Sequence, residues 1–74
     1  MEKTLLTIIN GIREAKQLGT LTEINKVDRL REDLGLTSFD LAELTVKLED
    51  EFDIDIFEDG LVSTVGEIIA KLEK

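Results

Sequence analysis

Asp33-Leu34-Gly35-Leu36-Thr37-Ser38-Phe39-Asp40-Leu41-Ala42-Glu43-Leu44 is where a loop turns into a strongly acidic helix. Leu41, Leu44, Leu48 and Phe52 follow i, i+3, i+7 and i+11, which lines them along one face of an α-helix. Thr37 or Ser38 can cap the N-terminus of that helix, with Asp40 in its first turn near the positive end of the helix dipole. The spacing predicts a helix from Ser38 to about Glu51, with a serine hydroxyl at the loop–helix junction.

Outward from this helix the pattern stays helical. Leu5, Ile8, Ile9 and Ile12 recur at helical spacing, with Arg13, Glu14 and Lys16 expected in solvent, so about residues 2–18 form a first helix that stops near Gly19. Gly11 weakens that helix without forbidding it. From Gly19 to Thr37 the pattern is irregular. Leu21, Ile24, Val27, Leu30, Leu34 and Leu36 are spaced to dip into a core, while Thr22, Asn25, Asp28 and Gly35 supply turn chemistry. This reads as a long packed loop with a helical turn around Lys26–Glu32; loops of this length tend to be either functional or disordered, and its regular leucines argue for ordered packing.

Beyond the second helix, Asp53-Ile54-Asp55-Ile56-Phe57 alternates like a strand, but a lone short strand has no partner in this chain. An extended link followed by a turn or small helix near Phe57–Gly60 is expected instead. Ser63 or Thr64 then caps a last helix. Glu67 completes the capping-box spacing from Thr64, Val65, Ile68, Ile69 and Leu72 form the buried stripe, and Lys71 and Lys74 suit the C-terminal end. The fold class is all-α: a small bundle of three main helices plus a short helix, with a long loop between the first and second helices.

Seventy-four residues are read as one domain, residues 1–74, whose core buries only roughly 60% of the surface the unfolded chain exposes. Cysteine is absent, which excludes disulfides and thiolate sites, and no apolar run approaches the ~20 residues of a membrane span. Leu5, Leu6, Ile8 and Ile9 are interrupted by polar residues and no small-residue cleavage site follows, so no signal peptide is read and the expected compartment is the cytoplasm.

The net charge of −8 is concentrated in one segment. Between Glu32 and Asp59 eleven acids face one base, Lys47, whereas the other residues hold six acids and eight bases. Such a field repels nucleic-acid phosphates and anionic lipid and steers basic protein surfaces, so the expected partners are proteins carrying Lys and Arg patches, not nucleic acid or membrane.

Histidine is absent as well, so Ser38 has no partner to activate it as a nucleophile, and no paired acid and base occupy a plausible cleft. The chain is read as a non-enzyme, and chemistry at Ser38 falls to another protein. Asp53, Asp55, Glu58 and Asp59 raise a calcium possibility, but their spacing fails the EF-hand loop, which needs a mid-loop glycine and a closing glutamate. No metal site is expected.

Asp33-Leu34-Gly35-Leu36-Thr37-Ser38-Phe39, followed by Leu41, Glu43-Leu44, Leu48-Glu49 and Glu51-Phe52-Asp53-Ile54-Asp55-Ile56, resembles the acyl carrier protein family. The likeness spans nearly the whole chain in length and helix order, and is specific over Asp33–Ile56. It implies that Ser38 receives a 4′-phosphopantetheine arm from coenzyme A, delivered by a separate phosphopantetheinyl transferase, and that acyl groups travel as thioesters on its terminal thiol. It further implies acyl-loading and acyl-transfer enzymes with basic docking surfaces as partners, and a monomeric carrier. The positions that match the family's docking surface are Phe39, Asp40, Ala42, Glu43, Val46, Glu49 and Asp50, all expected to be exposed. Leu41, Leu44, Val46, Leu48, Ile56, Ile68 and Ile69 are candidates to line a shelter for the acyl group, although a dry core uses the same residue types.

Two departures distinguish this chain: Thr37 stands where the family usually has aspartate, and Phe39 where it has an aliphatic residue. With Lys47 inside the acidic helix, they favour a specialised discrete carrier for a polyketide, nonribosomal-peptide, lipid or cell-envelope pathway over a housekeeping fatty-acid carrier. The bland alternatives are that Ser38 is merely a helix cap, that the carboxylates are a solvated face, and that the chain is an unmodified acidic helical adaptor for a basic partner.

Overall fold

The computed structural model describes residues 2–56 and 62–73. Three helices run through them: α1 (Glu2–Ala15), α2 (Ser38–Phe52) and α3 (Val65–Leu72). The expected turn or small helix at Phe57–Gly60 lies outside the described residues. Residues 53–56, where the sequence alternates, carry no strand. No helix among the described residues is long and apolar enough to cross a membrane.

α1 buries Leu5, Ile9 and Ile12, and Ile8 is half-buried at the edge of the stripe. It ends earlier than the glycine signal indicates, because Gln17 takes up the left-handed conformation (φ 62°) and the Leu18 N–H returns to the Arg13 carbonyl at 2.9 Å. That return satisfies a carbonyl the helix end would otherwise leave open. Gly19 follows with its own positive φ of 79°.

The loop from α1 to α2 is tied down by polar groups that periodicity does not show. Asn10, mid-α1, uses both ends of its side-chain amide on one residue of the loop: Nδ2 donates to the Leu21 carbonyl at 2.9 Å, and the Leu21 N–H donates to Oδ1 at 2.7 Å. Leu30, Leu34 and Leu36 enter the core and Leu21 and Ile24 pack against it, but Val27 is 81% exposed and contributes nothing to it. The expected helical turn around Lys26–Glu32 is displaced: both the Asp33 and Leu34 N–H groups return to the Arg29 carbonyl, at 2.9 and 3.1 Å, so the coil covers residues 29–34.

The same loop docks on the start of α3. The Leu30 N–H donates to Ser63 at 2.8 Å, Val65 to Asp28 at 3.0 Å and Gly66 to Lys26 at 2.9 Å. Thr64 caps α3 in the expected capping box with Glu67, whose carboxylate also takes the Ser63 hydroxyl at 2.8 Å. The core is then one cluster: Leu5, Ile9 and Ile12 of α1, the three loop leucines, Leu44 and Leu48 of α2, Ile56 and Val62, and Val65, Ile68, Ile69 and Leu72 of α3.

Candidate functional site

The site is the junction at which the loop becomes α2. Leu34 and Leu36 are buried, so the chain between them must turn outward and back, and Gly35 does so with φ 73°. A Cβ at Gly35 would also come within 3.2 Å of Leu18 Cδ1. Leu36 is locked by its N–H to the Leu30 carbonyl at 3.0 Å. Thr37 then adopts extended backbone (φ −94°, ψ 177°) and caps α2.

The cap is a capping box between Thr37 and Asp40. The Asp40 N–H donates to Thr37 Oγ1 at 3.3 Å, and Asp40 Oδ2 accepts from the Thr37 N–H at 2.8 Å and its hydroxyl at 3.0 Å. Lys16, from the turn after α1, reaches the same Asp40 oxygen and donates to the Gly35 carbonyl at 2.8 Å. Arg13 spans the loop beside it, donating to the carbonyls of Leu34, Gly19 at 3.3 Å and Leu18 at 3.1 Å. Arg13 and Lys16 are therefore not the solvated residues the helical pattern indicates: they clamp both limbs of the loop.

Burial pushes the Asp40 carboxyl up, but the Lys16 hydrogen bond, the two Thr37 hydrogen bonds and the Lys16 charge together hold it below the usual aspartate range. Glu67 is likewise held low, chiefly by the Ser63 hydroxyl and N–H.

Ser38 is the first residue of α2, and it is exposed. Because Thr37 does the capping, the Ser38 hydroxyl makes no hydrogen bond among the described residues. The reading of Ser38 as a mere cap therefore does not hold. The N–H groups of the first helical turn form, with the helix dipole, a setting that favours an anion.

From Ser38, one face of α2 runs outward along Phe39, then Ala42 and Glu43, then Val46 and Asp50, each step to the next turn being three or four residues, with Glu49 beside it; all are exposed. Phe39 is 88% and Val46 59% exposed, which is unusual for such side chains. Asp40 departs from its expected exposure because its carboxylate is folded back onto Thr37 and Lys16. Glu43 and Lys47 approach to 3.9 Å, an i,i+4 pair that partly offsets the acidity of this face.

Of the candidate lining residues, Leu44, Leu48, Ile56, Ile68 and Ile69 are closed into the core. Val46 is corrected: it faces solvent rather than the interior. Leu41, half-buried, borders a half-open groove of about 450 Å³ together with Arg31, Glu32, Ser38, Ala42, Val62 and Ser63. Ser38 thus lines a groove whose surface is mostly apolar. Lys16, Arg31 and Val62 carry no signal in the sequence for this placement, since each comes from a segment remote from α2 or irregular in pattern.

Comparison with known protein families matches residues 6–72 to the family described as phosphopantetheine attachment site. The match runs from α1 to the last residue of α3 and encloses the junction at Ser38. The chain therefore belongs to the phosphopantetheine-attachment family, the carrier domains on which 4′-phosphopantetheine is covalently held.

Proposed function

We propose that Ser38 is the residue that bears the 4′-phosphopantetheine arm, and that the chain carries acyl intermediates on it as thioesters between separate enzymes. The observation that carries this reading is the division of labour at the start of α2: Thr37 and Asp40 satisfy the helix end, which leaves the adjacent Ser38 hydroxyl exposed and uncommitted among the described residues. The residues present fit the group. A phosphodiester on Ser38 Oγ would sit at a helix N-terminus, and the groove beside it offers apolar surface to the arm.

In the transfer, Ser38 Oγ forms a bond to the phosphorus of coenzyme A that carries the pantetheine, and the P–O bond to the nucleotide breaks, releasing adenosine 3′,5′-bisphosphate. The hydroxyl proton leaves to a base on the transferase, because this chain has no histidine or cysteine. The chain's own contribution is to hold the loop–helix junction still, through Lys16, Asp40 and Thr37, and to present the hydroxyl. When bound, the arm supplies the thiol that the sequence lacks.

The partners are a phosphopantetheinyl transferase and acyl-loading and acyl-transfer enzymes with basic docking surfaces. Phe39, Ala42, Glu43, Val46, Glu49 and Asp50 form the docking face: two exposed apolar side chains provide the anchor and the flanking carboxylates steer it. Asp40 contributes from behind by positioning Ser38. The replacement of the usual acid by Thr37 and of the usual aliphatic by Phe39 supports a specialised discrete carrier, serving a polyketide, nonribosomal-peptide, lipid or cell-envelope pathway. The carrier itself is non-catalytic and works in the cytoplasm.

The test is intact mass and a tryptic map after incubation with coenzyme A, magnesium and a broad-specificity transferase. One phosphopantetheine increment on the peptide containing Ser38, absent in Ser38→Ala, is the expected result. No increment with several transferases would sink the carrier reading and leave the acidic adaptor in its place.

A further inference from the structure

The cations around Ser38 differ in what they have left to offer. Lys16 is held by Asp40 and the Gly35 carbonyl, and Arg13 donates to three loop carbonyls. Arg29 pairs with Asp33, and Lys47 stands over Glu43. Arg31 is different: exposed, and with no hydrogen bond or ion pair among the described residues, it lines the groove that Ser38 also lines.

A phosphodiester on Ser38 adds negative charge to the most acidic part of the molecule. Glu32, on the same rim as Arg31, and Glu43, on the next turn of α2, both oppose it. The charge of Glu32 is shared with Arg29, whose guanidinium is held above its usual range first by Asp33 and then also by Glu32. Arg31 is thus the cation placed to meet the added charge, and a guanidinium matches phosphate oxygens in a two-pronged geometry that lysine does not.

We propose that the groove lined by Arg31, Leu41, Ala42 and Val62 is a resting site for the near half of the arm. Arg31 pairs with the phosphodiester on Ser38, and the gem-dimethyl portion of the pantoyl unit lies on Leu41, Ala42 and Val62. The inference rests on Ser38 as the attachment residue. The phosphodiester, rather than an acidic acyl cargo, is the group assigned to Arg31, because it is bonded directly to Ser38 Oγ and cannot leave the groove's edge, whereas the thiol lies at the far end of the arm. Arg31 is here a positioning residue: it decides whether the arm lies along the protein or extends into solvent before a partner arrives.

The experiment uses the full chain converted to the unacylated holo form, with the mass increment checked first, in the parent sequence and in Arg31→Gln. Methyl-detected NMR should give cross-peaks between the pantoyl methyls and the methyls of Leu41 and Val62 in parent holo protein. In Arg31→Gln these should be lost, with the ³¹P resonance shifted and the amide spectrum of α2 and α3 unchanged. Raising the salt to about 1 M, where screening acts over roughly 3 Å, should weaken them in the parent as well. Absence of the cross-peaks in parent holo protein at low salt, or equal strength in Arg31→Gln, overturns the resting site while leaving Ser38 as the attachment residue. A chain that never gains the mass increment overturns both.

Discussion

Lys16 in the turn after α1 and Asp40 in the first turn of α2 form an ion pair that fastens the two ends of the long loop together, two residues beyond Ser38. Lys16 also holds the Gly35 carbonyl, so the pair fixes the turn, the cap and the first turn of α2 as one unit. Lys16→Met is expected to cost about 1 kcal/mol, since the pair is only part-buried and partly screened. Urea melts measure that loss. Amide exchange should quicken at Asp40 and Leu41, whose N–H groups bond back to Thr37, more than in α3; uniform acceleration would show that the pair has no special hold on the junction.

Asp40 and Glu67 are both held below the usual carboxylate range in the folded chain. The unfolded chain therefore binds more protons in acid. The stabilisation from these two groups is complete above the unfolded carboxylate value of about 4 and is lost as pH falls through their lower folded values. The melting temperature of Asp40→Asn should lie below that of the parent at pH 7, and the gap should narrow under pH 4. A gap that stays constant down to pH 2 would contradict the assignment.

Gly66 sits where the loop crosses α3. A Cβ there would meet the Lys26 carbonyl oxygen at 2.9 Å and Lys26 Cβ at 3.2 Å, and the first of these is backbone that cannot rotate away. Gly66→Ala is expected to destabilise the fold by about 1–3 kcal/mol. Gly11 is the control: it lies inside α1 with nothing within 4 Å of a new Cβ, so Gly11→Ala should stabilise by roughly 0.5–1 kcal/mol. Calorimetry of both variants checks the contrast, and equal effects of one sign would refute it.

Ser38→Ala and Thr37→Ala should separate function from structure. The Thr37 hydroxyl caps α2, so its loss is expected to cost about 0.5–2 kcal/mol. The Ser38 hydroxyl holds nothing in the described fold, so Ser38→Ala should melt within about 0.5 kcal/mol of the parent while abolishing the mass increment. A large loss of stability in Ser38→Ala would mean that the hydroxyl is structural after all.

The periodic elements were legible because they depend on local spacing alone. Leu41, Leu44, Leu48 and Phe52 announce α2, and Thr64 with Glu67 announces the start of α3, since a capping box closes within three residues. The family resemblance around Ser38 had the same local character, and the match over residues 6–72 agrees with it.

Ambiguity remained wherever a residue's fate depends on what another segment brings to it. Val27 had the spacing of a core residue, but the loop's hydrogen bonds to Val65 and Gly66 turn that stretch into a rim and leave it in solvent. Val46 fitted both a lining and an exposed face, and packing of the Leu44 and Leu48 stripe chose exposure. Asp40 looked like a surface acid until Lys16, 24 residues earlier in the chain, was folded onto it. The sequence by itself located the three helices and the capping box of α3, because short-range backbone hydrogen bonding and side-chain periodicity suffice for them, but it left the cap of α2 open between Thr37 and Ser38 and carried α1 past Ala15. Only the tertiary structure decided which charges were spent on holding the loop and which, like Arg31, were left facing the groove beside Ser38, because that depends on long-range contacts that no local pattern encodes.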